Sequence, residues 1–158
     1  MRRKEKSGAA IASNLFPLNP PGCELCAQVG GELLWRDDKC RVVLINDPDY
    51  AGFCRVIWNA HVREMTDLAD AERQHCLRVV LAVEQALRNV LKPHKINLAS
   101  LGNMTPHLHW HVIPRDVHDA HFPQPVWGAR QRTTPHSAAS EPAMQVRESL
   151  TAELLNLL

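Results

Sequence analysis

Residues 107–111 read His107-Leu108-His109-Trp110-His111 and continue as Val112-Ile113-Pro114-Arg115. Successive side chains of a strand point to opposite faces, so this alternation sets three imidazoles on one face and Leu108, Trp110 and Val112 on the other, toward a core. A helix would scatter the same histidines around its circumference. Pro114 has no N–H for a ladder and is expected to end the strand or to lie at an edge. A chain with this segment must therefore build a sheet with one apolar face and one face lined with groups that titrate near neutrality. Each neutral ring carries one donor and one acceptor nitrogen. That suits metal ligation or proton and phosphoryl chemistry, and the segment alone leaves the choice open.

The other strands of that sheet are readable as short apolar runs. Leu33 to Arg36 and Arg41 to Ile45 flank the polar turn Asp37-Asp38-Lys39, which predicts a hairpin. Asp47-Pro48-Asp49 breaks the chain before Phe53 to Trp58, a run rich in aromatic and β-branched residues. From about Asp67 to Leu91 the period becomes helical through Cys76, Val80, Val83, Leu87, Val90 and Leu91, with a stop at Lys92-Pro93. Lys95 to Ser100 forms another strand, Gly102 to Pro106 a loop, and Leu108 to Ile113 the histidine strand. The expected architecture is α+β: a mainly antiparallel sheet of about five strands with one long helix and a C-terminal helix. Residues 1–22, ending in Asn19-Pro20-Pro21-Gly22, read as an N-terminal arm and 23–128 as the domain. Residues 129–158 read as a linker and an amphipathic helix carrying Met144, Val146, Leu150, Leu154, Leu155 and Leu158, able to dock on the body or on a partner subunit.

Composition narrows the function classes. Eighteen Lys and Arg against seventeen Asp and Glu leave a net charge of +1, too small for the basic field that grips a nucleic-acid backbone. Polymeric nucleic acid is not an expected partner. No apolar run approaches the roughly 20 residues of a membrane span and no export signal is evident, so the chain is expected to be cytoplasmic, with no membrane partner. Five cysteines in such a chain argue for reduced thiols. Cys40, Cys54 and Cys76 lie in apolar patterns and read as core residues. Cys23-Glu24-Leu25-Cys26 has the two-residue spacer that lets two thiolates share a tetrahedral metal, but supplies half a site.

His-Leu-His-Trp-His-Val-Ile resembles the signature of the histidine-triad (HIT) family. The resemblance extends through Ile45-Asn46-Asp47, Gly52 to Ile57, His61 and Asn97 to Pro106, and on to about Gly128, so residues 23–128 resemble bacterial histidine-triad proteins of the diadenosine tetraphosphate hydrolase type. It implies the HIT-like fold and a catalytic set of His107, His109 and His111. His109 would be the nucleophile that attacks an α-phosphate and forms a nucleotidyl-histidine for water to cleave, and His111 would donate to the phosphate oxygens, with backbone N–H groups near Gly102 to Thr105. A neutral imidazole is nucleophilic at pH 7 if its other nitrogen is held as a donor. Asn46 matches the ribose-contacting residue, with Asp47 as its neighbour, although both also suit a turn before Pro48. Ile45 and Phe53 would wall the base, and Asn103 would lie in the nucleotide-binding loop.

The resemblance further implies a purine nucleotide or dinucleoside polyphosphate as ligand, a homodimer that extends the sheet, and no cofactor required for catalysis. A structural zinc on Cys23, Cys26, His61 and His107 is implied by some relatives. Three positions depart from the family pattern: Phe53 where many members carry histidine, Asn103 where glutamine is common, and Met104 where serine or threonine often stands. They bear on leaving-group preference. Two alternatives remain at this stage, a metal-dependent hydrolase ligating its ion with the three histidines and a nucleotide-binding module with little turnover. The helix at 67–91 is a candidate dimer interface, and His118, His121 and Trp127 are loop residues or shape the mouth of a pocket.

Overall fold

Residues 22–133 and 143–157 are described by a computed structural model; the arm expected at 1–22, apart from Gly22, and most of the linker lie outside them. The elements in chain order are α1 (Glu24–Ala27), β1 (Glu32–Arg36), β2 (Cys40–Leu44), β3 (Cys54–Trp58), a 3-10 turn (Met65–Asp67), α2 (Asp70–Leu91), β4 (Lys95–Ala99), β5 (His109–Arg115) and α3 (Ala143–Leu157). The five strands form one sheet in the order β1-β2-β3-β5-β4, every neighbouring pair antiparallel. This is the α+β architecture expected of the sequence.

Local chemistry explains the connections. Asp37 closes the β1–β2 hairpin by accepting the backbone N–H groups of Lys39 and Cys40 on Oδ1 at 2.8 and 2.7 Å. Gly52, at φ +84°, turns the chain into β3 directly under α2, where a Cβ would lie 2.4 Å from Leu91 Cδ1. Glu72 accepts the Ala69 N–H at 3.1 Å and starts α2 at Asp70, three residues later than the apolar period suggests. Lys92, left-handed at φ 50°, ends it before Pro93.

The two sheet faces do different things. On one, Val42, Cys54, Val56, Leu108 and Val112 pack with Cys76, Val79, Val80, Val83 and Leu87 of α2, and α3 adds Val146, Leu150 and Leu154 to the same core. The C-terminal helix therefore docks on the body, with Arg147 donating to the Leu34 carbonyl at 3.0 Å. This changes the reading of residues 67–91 as an interface: the sheet and α3 cover most of the apolar surface of α2, leaving Leu77 and Leu81 exposed. On the opposite face two small clusters, Leu25–Val43–Ile57 and Tyr50–Phe53–Ile113, flank the histidines.

One strand boundary differs from expectation, and of the two positions expected for Pro114 the edge is the one found. β5 begins at His109, so His107 precedes it, and it runs through Pro114 to Arg115. Pro114 is tolerated because β3 pairs with β5 only as far as Val112, leaving β4 as the single partner where the N–H is missing. Among the described residues no helix is long and apolar enough to cross a membrane.

Candidate active site and metal centre

His109 and His111 project from the face of β5 opposite the helices. They do not line an open surface: only 7% and 6% of each is exposed. Phe53 on one side and Trp127, from the segment after β5, on the other cover His111, with ring centroids 5.6 and 5.1 Å away. That segment is tied down by Asp119, which takes Arg115 Nε at 2.6 Å and the N–H groups of His121 and Phe122 at 2.9 and 2.7 Å.

The hydrogen bonds fix the tautomers. His109 Nδ1 donates to the His107 carbonyl at 2.6 Å, which leaves Nε2 as a lone pair. His111 Nε2 lies 3.1 Å from His109 Nε2 and must be its donor, so the lone pair of His111 sits on Nδ1, buried and without a partner. Ser100 Oγ donates to the His109 carbonyl at 2.9 Å and holds the strand in place. Burial, opposed by the hydrogen bond to the His107 carbonyl and reinforced by the charge of Arg55, pulls His109 below its ordinary value. Burial, His109 and Arg55 bring His111 down to about 4. Neutral rings at pH 7 follow.

His107 enters this arrangement through its carbonyl, while its ring turns the other way. His107 Nδ1 lies 3.4 Å from both Cys23 Sγ and Cys26 Sγ, and His61 Nδ1 lies 3.3 Å from Cys26 Sγ. The four ligand atoms are all within 4.8 Å of one another. A tetrahedral zinc with bonds of about 2.3 Å to sulfur and about 2.0 Å to nitrogen separates S and N by about 3.5 Å. The donor set and the spacing fit zinc. His107 Nε2 donates to the Trp58 carbonyl at 2.6 Å, which turns the Nδ1 lone pair toward the thiols. Burial and the adjacent Cys23 thiol push Cys26 up to about 11. Arg41 anchors the segment by donating to the carbonyls of Leu25, Gln28 and Val29 at 2.6, 3.2 and 2.9 Å.

The remaining expected residues divide. Ile45 and Phe53 meet beside His111, with Tyr50 and Ile113 behind them and an Ile45 N–H to Phe53 carbonyl bond of 2.8 Å. Asn46 is exposed, and Asp47 is occupied in a turn, its Oδ1 accepting the Asp49 N–H at 2.9 Å. Asn103 and Met104 are on an exposed loop, Met104 almost fully so. His118 is an exposed loop residue and His121 braces the Tyr50 hydroxyl. Beyond Trp127 an open cleft of about 600 Å³ runs along Asn97, Leu98, Ile113, Arg115 and Phe122. Sequence reasoning passed over Arg55, which pairs across the ladder with His111, and the Arg115–Asp119 tie. The signal for Arg55 was a lone cation inside an otherwise apolar strand.

Comparison with known proteins gives a consistent picture. The family model described as HIT domain matches residues 27–118. An AP-4-A phosphorylase of Mycobacterium tuberculosis is 29% identical over 89 residues, which are 52% of this chain and 46% of that protein. The chain thus spans about half the length of the curated relative it matches. A histidine triad protein from Marinobacter aquaeolei VT8 superposes with a TM-score of 0.65 at 29% identity, covering 85% of this chain and 96% of that one. One from Bradyrhizobium japonicum superposes at 0.60 and 27% identity, covering 80% and 92%.

Proposed function

The chain belongs to the HIT domain family, and on that basis we propose that it is a nucleotide hydrolase or transferase that cleaves at an α-phosphate through a nucleotidyl-histidine on His109. The observation that carries this reading is the His107 carbonyl bonded to His109 Nδ1 at 2.6 Å, which leaves Nε2 unprotonated and directed at His111. A substrate phosphate replaces that resting contact. Nε2 attacks phosphorus, the P–N bond forms, and the bond to the leaving group breaks with its electron pair on the leaving atom. His111 Nε2–H, released from His109, donates to the phosphoryl oxygens as charge spreads over them. Water then cleaves P–N, returning His109 and a nucleoside monophosphate. The similarity to an AP-4-A phosphorylase supports a dinucleoside polyphosphate as substrate. It also raises inorganic phosphate as an acceptor, which would release the nucleoside diphosphate instead.

The three-histidine metal hydrolase is disfavoured by geometry, because His107 Nδ1 faces the thiols and His109 Nδ1 donates to a carbonyl. The zinc that fits Cys23, Cys26, His61 and His107 is assigned a structural role: four protein ligands leave no open position, and the ion would tie the N-terminal turn to the residue that orients His109. Homodimerisation is assigned to β4, an edge strand of the sheet with Leu98 exposed.

The test is turnover of diadenosine tetraphosphate and adenosine phosphoramidate by wild type and His109→Asn, with and without chelator and phosphate, combined with acid-quench trapping of labelled nucleotide on the protein. Turnover and adduct that vanish in the variant but survive chelation support the reading. Nucleotide binding without turnover in wild type would replace it with the binding-module alternative.

A further inference from the structure

We propose that Arg55 binds the phosphate chain of the substrate beside His109 and His111, and thereby biases the site toward substrates whose leaving group is itself a phosphate chain. This deepens the nucleotidyl-transfer reading and rests on it for the identity of the substrate. Arg55 stands opposite His111 in the β3–β5 ladder, and directly opposed residues of an antiparallel pair share a face about 5 Å apart. Its guanidinium lies over the Phe53 ring, 6.0 Å from the centroid, and Phe53 in turn packs on His111. The cation is therefore held between the nucleophile's strand and the wall of the site.

Arg55 is half-buried, and what distinguishes it from the buried Arg41 and Arg115 is that no anion pairs with it among the described residues. Arg41 is spent on three carbonyls and Asn59, and Arg115 on Asp119, Asn97 and the Gln124 carbonyl. Arg55 Nε is buried with no hydrogen-bond partner, and no salt bridge among the described residues includes Arg55. The nearest acidic influence is Glu24, an exposed residue whose carboxylate accepts the Thr105 hydroxyl at 3.1 Å. A second orphan, His111 Nδ1, lies on the same face. A half-buried cation whose Nε is shut off from water and unpartnered among the described residues is costly for a fold. Its placement against two neutral histidines is explained when the counter-ion arrives with the substrate. Burial is the larger cause, and the same charge adds to the lowering of His109 and His111, which favours neutral rings for attack. Met104 supplies no hydroxyl to the phosphate from its exposed loop, so the cation that faces the reacting group comes from β3.

The experiment uses the full chain as wild type, Arg55→Met and Arg55→Lys, with His109→Asn alongside. Arg55→Met keeps an unbranched chain in an apolar strand. Three quantities are read: kcat/KM on diadenosine tetraphosphate and on adenosine phosphoramidate, the thermal shift given by inorganic pyrophosphate, and the unliganded midpoint. Arg55→Met should lose about 100-fold or more in kcat/KM on the tetraphosphate, in the range found for removing one charge-stabilising donor. The loss on the phosphoramidate should be at least about tenfold smaller, because its leaving group carries no phosphate charge. The pyrophosphate shift should disappear, the unliganded midpoint should hold or rise, and Arg55→Lys should restore part of the activity with a steeper salt dependence.

If His109→Asn is dead while Arg55→Met keeps both substrates within threefold, the assignment of Arg55 is overturned and nucleotidyl transfer stands. A lowered unliganded midpoint with an unchanged pyrophosphate shift makes Arg55 a scaffold residue and overturns it as well. Wild type without turnover, whose pyrophosphate shift vanishes in Arg55→Met, supports the anion seat and removes the catalytic reading. The same wild type with a shift that survives in Arg55→Met removes both.

Discussion

Replacing Asp119 with alanine should cost about 3–5 kcal/mol, the range for removing one partner of a buried ion pair. The magnitude follows from what the carboxylate holds. Asp119 and Arg115 are 2% and 3% exposed. Oδ2 takes Arg115 Nε at 2.6 Å, while Oδ1 takes Arg115 Nη2 at 3.0 Å and the N–H groups of His121 and Phe122 at 2.9 and 2.7 Å. Burial alone would raise the acid, but these donors outweigh it and hold Asp119 below the usual carboxylate range. In Asp119→Ala the guanidinium keeps only Asn97 Oδ1 and the Gln124 carbonyl, at 2.7 and 2.8 Å, and stays buried with its charge unanswered. For a chain of this size the midpoint should fall on the order of 10 °C. Urea unfolding followed by tryptophan fluorescence measures the change, and the slope of free energy against urea should not move. The double variant Arg115→Met/Asp119→Leu should recover part of the loss, because an apolar pair leaves no charge behind, although the N–H groups of Asp116, His121 and Phe122 lose their acceptor. A single-variant cost below about 1 kcal/mol would refute the claim that this pair holds the segment carrying Trp127 over His111.

Three further outcomes are expected. His111 is depressed from its ordinary 6.5 to about 4, so between those values the unfolded chain takes up a proton that the folded chain refuses, and stability falls as the pH drops through that window. The slope is about 1.4 kcal/mol per pH unit for one proton; His111→Gln should be flatter by about that amount in urea melts from pH 4 to 7, and parallel curves would discard the shift. Protein prepared with zinc should carry about one ion per chain and lose it in Cys26→Ser, and a wild type that never exceeds trace zinc by mass spectrometry counts against the site. Leu150, fully buried where α3 meets α2, should cost about 2–5 kcal/mol as Leu150→Ala, and a change below about 1 kcal/mol in chemical unfolding would mean that α3 contributes little to the core.

Much of this arrangement was legible because it is local. Two-residue periodicity placed Leu108 and Val112 in the core, and the 3.6-residue period, read from about Asp67 to Leu91, found α2 at Asp70–Leu91 to within a turn. The element boundaries that shifted did so for reasons outside the apolar pattern: the Glu72 cap delays α2, and β3 ends its pairing before Pro114. The pairing of Cys23 and Cys26 with His61 and His107 spans 84 residues and came from resemblance, since one two-cysteine spacer does not say which histidines complete it.

Arg55 was missed for a reason that belongs to topology. Within Cys54-Arg55-Val56-Ile57-Trp58 a single cation reads as the solvent-facing member of a half-buried strand, and the alternation of the strand says only that Arg55 shares a face with Phe53 and Ile57. It does not say what lies beside that face. β5 is last in sequence among the strands but inserts between β3 and β4, and only that insertion sets Arg55 against His111. The covering by Phe53 and Trp127 is likewise assembled from segments 74 residues apart around one ring. A local pattern therefore identifies the nucleophile's strand, whereas the charge that faces the reacting group becomes visible only once non-local register is known.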